Sequence, residues 1–527
     1  MSAKKSLFKS TTIVSSMTLL SRALGFIRDM LMASLFGATA GFDAFLVAFK
    51  IPNFMRGLFA EGSFSQAFVP ILAEYQHHHS AKDTLQFIAR TLGGLAGILF
   101  IITFLCEILA PLIVVIFAPG FVHDPLRYQM AIKMLWITFP YLMLISLTAY
   151  CASVLHSQGH FGVAAFTPVI LNVVLIAAGI YFSPFFLVHE QALAWGVLVA
   201  GIIQLAFQVI FLARYKLFVR PRWHLQDPHV KRVMKNMVPA LFGVSVMQIG
   251  LLINTFFASF LKEGSISWLY YADRLTFFPL GIFGVALVTV LLPYLSNFHA
   301  KSANEDFKSA LDWGLKMVLL ISIPAMLGLI MMSNPIVSTL FHHGKFNAAD
   351  VVMTEQGVIA FAIGLPSFMA TKILASAFYA RQEIKQPVRI AAITVGANIV
   401  LNCLLILPLR HQGLALGTSL AAIINAALLY QSLYRTGIYQ PQRGWGRFFL
   451  QLLFANSMMV LLLVWGAPTK EGWANWQWHQ QVLTLFIWLT AAVVVYFSSL
   501  WLSGLRFKDY LMHGASSFIH KPLIIER

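Results

Sequence analysis

Residues 21–36 read SRALGFIRDMLMASLF, and Arg22, Arg28 and Asp29 interrupt what is otherwise a membrane-spanning stretch. A charge at the centre of a lipid-facing helix costs roughly 2.5–3.5 kcal/mol even on a lenient insertion scale. A buried Leu or Phe returns only about 0.3–0.6 kcal/mol, so three charges, on the order of 8–10 kcal/mol, exceed what one short segment offsets. These side chains must face something polar. The same conflict recurs at Lys50 and Arg56 in the second apolar stretch and at Arg274 in the eighth. A water-filled cationic cavity that receives an anion reconciles them.

The rest of the chain supports a membrane setting. Of its 527 residues 59% are hydrophobic and only 11% charged, against about 25% charged in soluble domains. Mean hydropathy is +0.76. The net charge of +17 comes without any aromatic–basic motif, so nucleic acid is not an expected partner, and most of it falls in loops. Cys106, Cys151 and Cys403 lie in apolar segments without metal-ligand spacing and read as small core residues. Lys4, Lys5 and Lys9 ahead of Thr11–Leu20 loosely imitate a signal peptide. The hydroxyl-rich stretch that follows is a weak apolar core, so an uncleaved first helix is expected.

Segments long enough to span are 11–36, 42–74, 86–117, 128–155, 161–184, 191–213, 233–261, 267–297, 309–341, 351–380, 387–408, 412–435, 446–467 and 481–505. The predicted class is all-α integral membrane, with about 14 helices. Pro52, Pro140, Pro279, Pro324 and Pro366 are the expected kink sites. One set of loops collects most Lys and Arg, including Lys82, Arg214, Lys216, Arg220, Arg222, Lys301, Arg381 and Arg443. The opposite loops hold only Arg127, Lys262, Lys345, Arg410 and Lys470, so both termini are expected in the cytoplasm.

A weak repeat runs through the chain at a period near 224. Ala33-Ser34 ahead of Gly37 answers Ala258-Ser259 ahead of Gly264, and Ala48-Phe49-Lys50 answers Ala272-Asp273-Arg274. Residues 67–72 answer 290–295, and 192–196 answer 413–417. An even number of spans per half makes the repeat parallel, about an axis along the membrane normal, which is a transporter arrangement. The expected organisation is an N-lobe over 1–213, a cytoplasmic linker over 214–232 and a C-lobe over 233–440. A final pair of spans over 441–505 and a cytoplasmic tail over 506–527 complete it. The final pair lies outside the repeat and is nearly free of charge, which suits a groove for an acyl or isoprenoid tail.

Arg22, Gly25 and Asp29 share one face of the first helix, whereas Arg28 points elsewhere. A break near Gly25 or a wide cavity would reconcile the two arginines. Arginine suits two-point contact with phosphate oxygens, so several of them with few carboxylates suggest a phosphate or pyrophosphate. The competing reading pairs Arg22 with Asp29, Asp43 with Lys50 and Asp273 with Arg274 as structural ion pairs, leaving Arg28 and Arg56 without partners. Enzyme readings fare worse: the spans hold no HExxH, GxSxG, Walker loop or paired Cys. His77-His78-His79 reads as a solvated turn rather than a metal site. No metal or cofactor is expected. Whether Glu107 and Lys372 line the cavity stays open.

Several runs resemble the MurJ (MviN) lipid II flippase family. They are Ser21–Asp29, Asp43–Asn53, Phe59–Pro70, Ser267–Leu275 and Gly344-Lys345-Phe346, and the resemblance covers essentially the whole chain. It implies the fold of the multidrug/oligosaccharidyl-lipid/polysaccharide (MOP) exporter superfamily, with two lobes around a cationic cavity. It implies transport of undecaprenyl-pyrophosphate-linked disaccharide-pentapeptide across the cytoplasmic (inner) membrane for peptidoglycan biosynthesis, and so for cell wall and cell shape. Substrate-binding positions implied by the resemblance are Arg22, Arg28, Asp43, Arg56 and Arg274, with Ser21, Asn53 and Glu61. Asp29, Lys50 and Asp273 are candidate cavity-lining residues beside them. Lipid II, membrane lipids and the cell-wall synthesis machinery are the implied partners. Gly57 stands where many relatives carry a second basic residue after Arg56. The sodium site of some relatives is not transferred, since 233–261 and 387–408 contain no Asp or Glu.

Two rivals remain. Another exporter of the same fold, a multidrug antiporter or a polysaccharide-lipid flippase, is the nearer one, but an antiporter would need cavity carboxylates. A membrane glycosyltransferase would need a sizeable extramembrane domain, and the longest loop, 214–232, is too short for one.

Overall fold

The computed structural model describes residues 2–58, 64–224, 226–466, 468, 472–473 and 476–505, with backbone alone for 2–11, 65–66, 238–249 and 251. Glu61 and the tail 506–527 lie outside the described residues. The described chain is all-helical, with no strand. Its first helices are α1 (Ser2–Phe36), α2 (Ala40–Arg56), α3 (Ser65–His78), α4 (Ala81–Ile108), α5 (Ala110–Phe117), α6 (Pro125–Thr138) and α7 (Pro140–Ser157). Then come α8 (Phe161–Ala177), α9 (Gln191–Arg214), α10 (Pro228–Ala258), α11 (Ser265–Pro279), α12 (Val285–Ala300), α13 (Asn304–Met331) and α14 (Ser333–Phe341). The last are α15 (Ala348–Ala362), α16 (Leu365–Ala380), α17 (Lys385–Arg435), α18 (Trp445–Gly466) and α19 (Trp478–Leu502). Among the described residues nine helical stretches are long and apolar enough to cross a membrane, or ten if the bent pair α15–α16 is one span.

The breaks fall where backbone chemistry puts them. Pro140 opens α7, Pro279 closes α11 ahead of a π-turn at Leu280–Gly284, and Pro366 sits at the start of α16, which bends 40° from α15. Each proline withholds the N–H that would continue the ladder. Pro52 stays inside α2, and the Ala48 carbonyl it leaves without a ladder donor is taken by the Thr138 hydroxyl at 2.8 Å. In α17, Arg410 adopts φ 51°, ψ −129°, so this element is two helices folded back on each other. Gly413 and Gly417 let them meet: a Cβ at Gly413 would strike the Leu405 carbonyl oxygen.

The chain divides into two compact units. The first comprises Met1–Ser267 with His343–Asn347, and the second Trp268–His342 with Ala348–Arg527. The first unit is centred on Phe64, Phe68, Phe87, Tyr150, Val154, Leu155, Leu212 and Val230. There Phe68 lies 5.1 Å from Tyr150, whose hydroxyl donates to the Ile88 carbonyl at 2.7 Å. In the second unit Leu291, Leu311, Leu315, Met369, Ile373, Phe378 and Leu433 join α12, α13, α16 and α17.

The final pair packs within the second unit. Tyr496 of α19 donates to the Leu320 carbonyl at 2.7 Å, and Trp473 and Trp478 bond the Thr339 hydroxyl and carbonyl. Asp312 of α13 takes the Tyr439 hydroxyl at 2.7 Å, the Trp445 indole N–H at 2.6 Å and the Lys316 ammonium at 2.7 Å. That carboxylate fixes the entry into α18. Cys106 and Cys151 are buried as expected of core residues, but Cys403 is exposed, on an outward face of the first half of α17.

Candidate functional site

Of the two arrangements that would reconcile Arg22 with Arg28, a break near Gly25 does not occur: α1 is continuous from Ser2 to Phe36. Gly25 serves contact instead, because a Cβ there would meet the Asn172 amide at 3.5 Å. Asn172 of α8 donates to the Ser21 carbonyl at 2.9 Å and accepts from Arg28 Nη1 at 3.0 Å. One asparagine thus ties together two turns of α1.

Arg28 is not left without partners. Its Nε and Nη2 donate to one oxygen of Asp29 at 3.0 and 2.7 Å, and both residues are buried. Residues one apart on a helix point about 100° apart, but the arginine stem is long enough to fold back. The pairing of Arg22 with Asp29 is therefore replaced by Arg28 with Asp29. Arg22 is half-buried and makes no side-chain hydrogen bond or ion pair among the described residues.

In α2, Asn53 donates to the Phe49 carbonyl at 3.0 Å and accepts from Arg56 Nε at 3.3 Å. Arg56 ends the helix half-buried, and Gly57 continues it with helical dihedrals. Lys50 donates to the Thr255 hydroxyl at 3.0 Å. Asp43 does not pair with it. Asp43 is fully buried and bonds the Gly264 N–H at 2.8 Å, the Ser267 N–H at 2.9 Å and the Ser267 hydroxyl at 2.5 Å.

The Ser267 donors belong to the first turn of α11 and Gly264 immediately precedes it; a helix start leaves its N–H groups without ladder partners and favours negative charge. The start of α2 is served in return. Glu263 accepts from the Ala40 N–H at 2.6 Å, Thr39 caps Phe42, and the Thr39 hydroxyl donates to Glu190 at 2.7 Å. A Cβ at Gly41 would strike the Glu190 carboxylate. Glu190, Glu263 and Asn172 were not foreseen, because each stands alone in its own stretch of sequence.

The repeat is also visible in the turns. Gly37 and Gly264 both adopt left-handed φ, +66° and +87°, as an L-residue rarely does. The Gly344 turn packs on the Ser34 carbonyl, with the Lys345 N–H donating to it at 2.8 Å, and the Gly120 N–H donates to the Ser259 hydroxyl at 3.0 Å.

In the second unit Arg274 is exposed and lies 5.0 Å over the Tyr270 ring, with Asp273 half-buried beside it. Lys372 of α16 is exposed, and a Cβ placed at Gly284 of the π-turn would lie 3.6 Å from its stem. Among the described residues no group of three or more His, Cys, Asp or Glu could hold a metal.

The sequence model described as "Lipid II flippase MurJ" matches residues 32–498. The chain belongs to the MurJ family. A relative from Vibrio cholerae, named a probable lipid II flippase MurJ, is 43% identical over 512 residues, 96% of this chain and 98% of its own. The MurJ relative of Burkholderia cenocepacia is 40% identical over 512 residues, 95% and 98% of the two chains. A MurJ structure in an inward closed conformation superposes with TM-score 0.78 at 28% identity, covering 95% of this chain and all of that one. An inward-facing multidrug transporter of the MOP superfamily superposes with TM-score 0.64 at 14% identity, over 81% of this chain and 98% of that chain. At that distance the likeness shows the fold alone.

Proposed function

We propose that this chain moves lipid II from the inner to the outer leaflet of the cytoplasmic membrane for peptidoglycan synthesis. The observation that carries this reading is the family match over residues 32–498. The chain works as a flippase and not as a catalyst, with about 14 spans: two six-helix lobes, 1–213 and 233–440, followed by the pair in 441–505. Both termini are cytoplasmic.

Arg22, Arg28, Arg56 and Arg274 contact the pyrophosphate, supported by Ser21 and Asn53, with Glu61, Asp29, Lys50 and Asp273 nearby. Guanidinium groups offer paired N–H donors to phosphate oxygens. Arg28 is held by Asp29 and Asn172, so it is pre-positioned and can exchange one acceptor for a phosphate oxygen. Asp43 acts differently: as a carboxylate it repels pyrophosphate, and its bonds to Gly264 and Ser267 suit a cap that is made and broken as access alternates.

The isoprenoid tail stays in lipid or in a groove on the final pair. Each buried CH2 contributes roughly 0.8 kcal/mol, which bars the tail from an arginine-lined path. Depletion of the protein in cells tests the reading. Lipid II should accumulate where only cytoplasmic reagents reach it, and unchanged outer-leaflet access would overturn it.

A further inference from the structure

The linker between α9 and α10 has a conformation the flippase reading does not require. After α9 ends at Arg214, Lys216 takes φ 58° and turns the chain. The segment then runs extended. Leu217 and Val219 point into the core of the first unit, while Phe218 and Arg220 point out. Next it lies flat on α4. The Arg222 N–H donates to the Ala89 carbonyl at 2.9 Å, and a Cβ at Gly93 would strike the Arg222 backbone at 2.3 Å. A Cβ at Gly97 would overlap the Trp223 ring at 1.6 Å. Arg90 then clamps the far end through Asp227 at 2.6 Å. Gly93 and Gly97, one turn apart, are the slot into which this strap fits.

The depth of the strap is informative. Outward apolar side chains on α4 and α5 begin at Phe100 and Ile101 and continue through Phe104, Ile108, Leu112 and Ile116. Within α4 that belt rises about 12 Å from Phe100 to Ile108 at 1.5 Å per residue, and it continues along α5 past the break at Leu109. Trp223, against Gly97, therefore sits one turn before the first outward apolar side chains of that belt, and at such a boundary with lipid indole rings concentrate.

Trp223 is 60% exposed and Phe218 50% exposed. Between and beside them stand Arg214, Lys216, Arg220 and Arg222, all exposed, with no Asp or Glu in 214–224. Among the described residues none of these four cations forms an ion pair. Exposed aromatics at the hydrocarbon edge with basic side chains alongside match a leaflet of anionic lipid: rings enter the acyl boundary while cations meet phosphates.

We propose that residues 214–224 are an interfacial strap that binds the headgroups of anionic phospholipids in the leaflet at the linker end of the protein. The strap joins α9 to α10, so headgroup binding there also fixes the depth at which α10 begins.

The test uses the full-length chain in detergent, titrated with phosphatidylglycerol or phosphatidylcholine and read by native mass spectrometry. The wild type should prefer phosphatidylglycerol. R220Q/R222Q should weaken that lipid about fivefold per arginine removed, with phosphatidylcholine unchanged. R220K/R222K keeps the charge and should keep the preference, which a merely structural role for the arginines would not. Gly97→Leu, which displaces Trp223 with all cations retained, should also reduce it. Equal binding of the two lipids by the wild type, or unchanged phosphatidylglycerol binding by R220Q/R222Q, would overturn the proposal. So would full competition by soluble glycerophosphate, which would mark a free-phosphate site. Tighter binding of polyglutamate than of lipid would mark a protein-docking segment and overturn it as well.

Discussion

Asp43 and Ser267 stand 224 positions apart and are joined twice: one Asp43 oxygen accepts from the Ser267 N–H at 2.9 Å and from its hydroxyl at 2.5 Å. The separation equals the offset that pairs Lys50 with Arg274 in the repeat. Two equivalent helix starts thus cap each other, Asp43 serving α11 and Glu263 serving α2. The two halves of that exchange are unequal, because Asp43 is buried and Glu263 is exposed.

Replacing the buried member should cost more. Hydrogen bonds to a charged group contribute roughly 1.5–3 kcal/mol, so Asp43→Ala, which strands three donors, should destabilise the protein by on the order of 3 kcal/mol. Asp43→Asn keeps one acceptor oxygen and should lose less. Glu263→Gln should cost about 1 kcal/mol or less, as for an exposed cap. Thermal unfolding in detergent ranks the three, and an Asp43→Ala melting temperature equal to wild type would remove the cap from any role in stability.

Arg28→Lys should impair complementation although the charge is kept. An ammonium can reach Asp29 or Asn172, but it lacks the planar fork that bonds both at once. Asn172→Ala leaves the arginine charge intact and should give a milder defect. Growth of a depletion strain at matched membrane abundance measures both, and full complementation by Arg28→Lys would show that positive potential alone suffices.

Much of this was legible in the chain. Pro140, Pro279 and Pro366 marked breaks because a missing N–H acts locally, and the matched segments of the repeat became matched turns at Gly37 and Gly264. The partners of the charges were not legible. Nothing in the first helix announces that Asn172, 144 positions away from Arg28, will hold it. Helix periodicity misdirected the pairing of Asp29 toward Arg22, because it places Cα atoms and not the ends of long side chains. The strap over α4 escaped for a similar reason: Gly93 and Gly97 read as ordinary small residues until Trp223 is found against them.

The strap has its own pH signature. Burial pushes the Asp227 carboxyl up, but hydrogen bonds from Arg90, His229 and Val230 outweigh it and hold the group below the usual carboxylate range. A depressed value means that Asp227 stabilises the fold above the ordinary carboxylate range and loses that contribution only as pH falls through the depressed value. Arg90→Ala should move that loss to higher pH. Limited proteolysis of the linker between pH 7 and pH 3 reads the midpoint, and identical profiles for variant and wild type would dissociate Arg90 from Asp227.

Removing the carboxylate of Asp312 should loosen the final pair of helices. It takes Tyr439, Trp445 and Lys316, and stripping one partner from a buried charge typically costs about 3–5 kcal/mol. Asp312→Ala should therefore lower stability and expose the stretch ahead of α18 to protease. If α18 and α19 carry the isoprenoid tail, the variant should also bind full-length lipid II less well while a short-tailed analogue is unaffected. Equal loss for both substrates would make the pair peripheral to the tail.

The most direct measurement is flipping itself. Purified protein in proteoliposomes is loaded with fluorescent lipid II, and a membrane-impermeant reagent reports which leaflet holds the headgroup over time. A lipid II flippase with an arginine-bound pyrophosphate predicts exchange between leaflets by the wild type and none by Arg28→Ala or Arg274→Ala at equal reconstitution. Exchange by wild type and both variants at the same rate, or none by any, would contradict it.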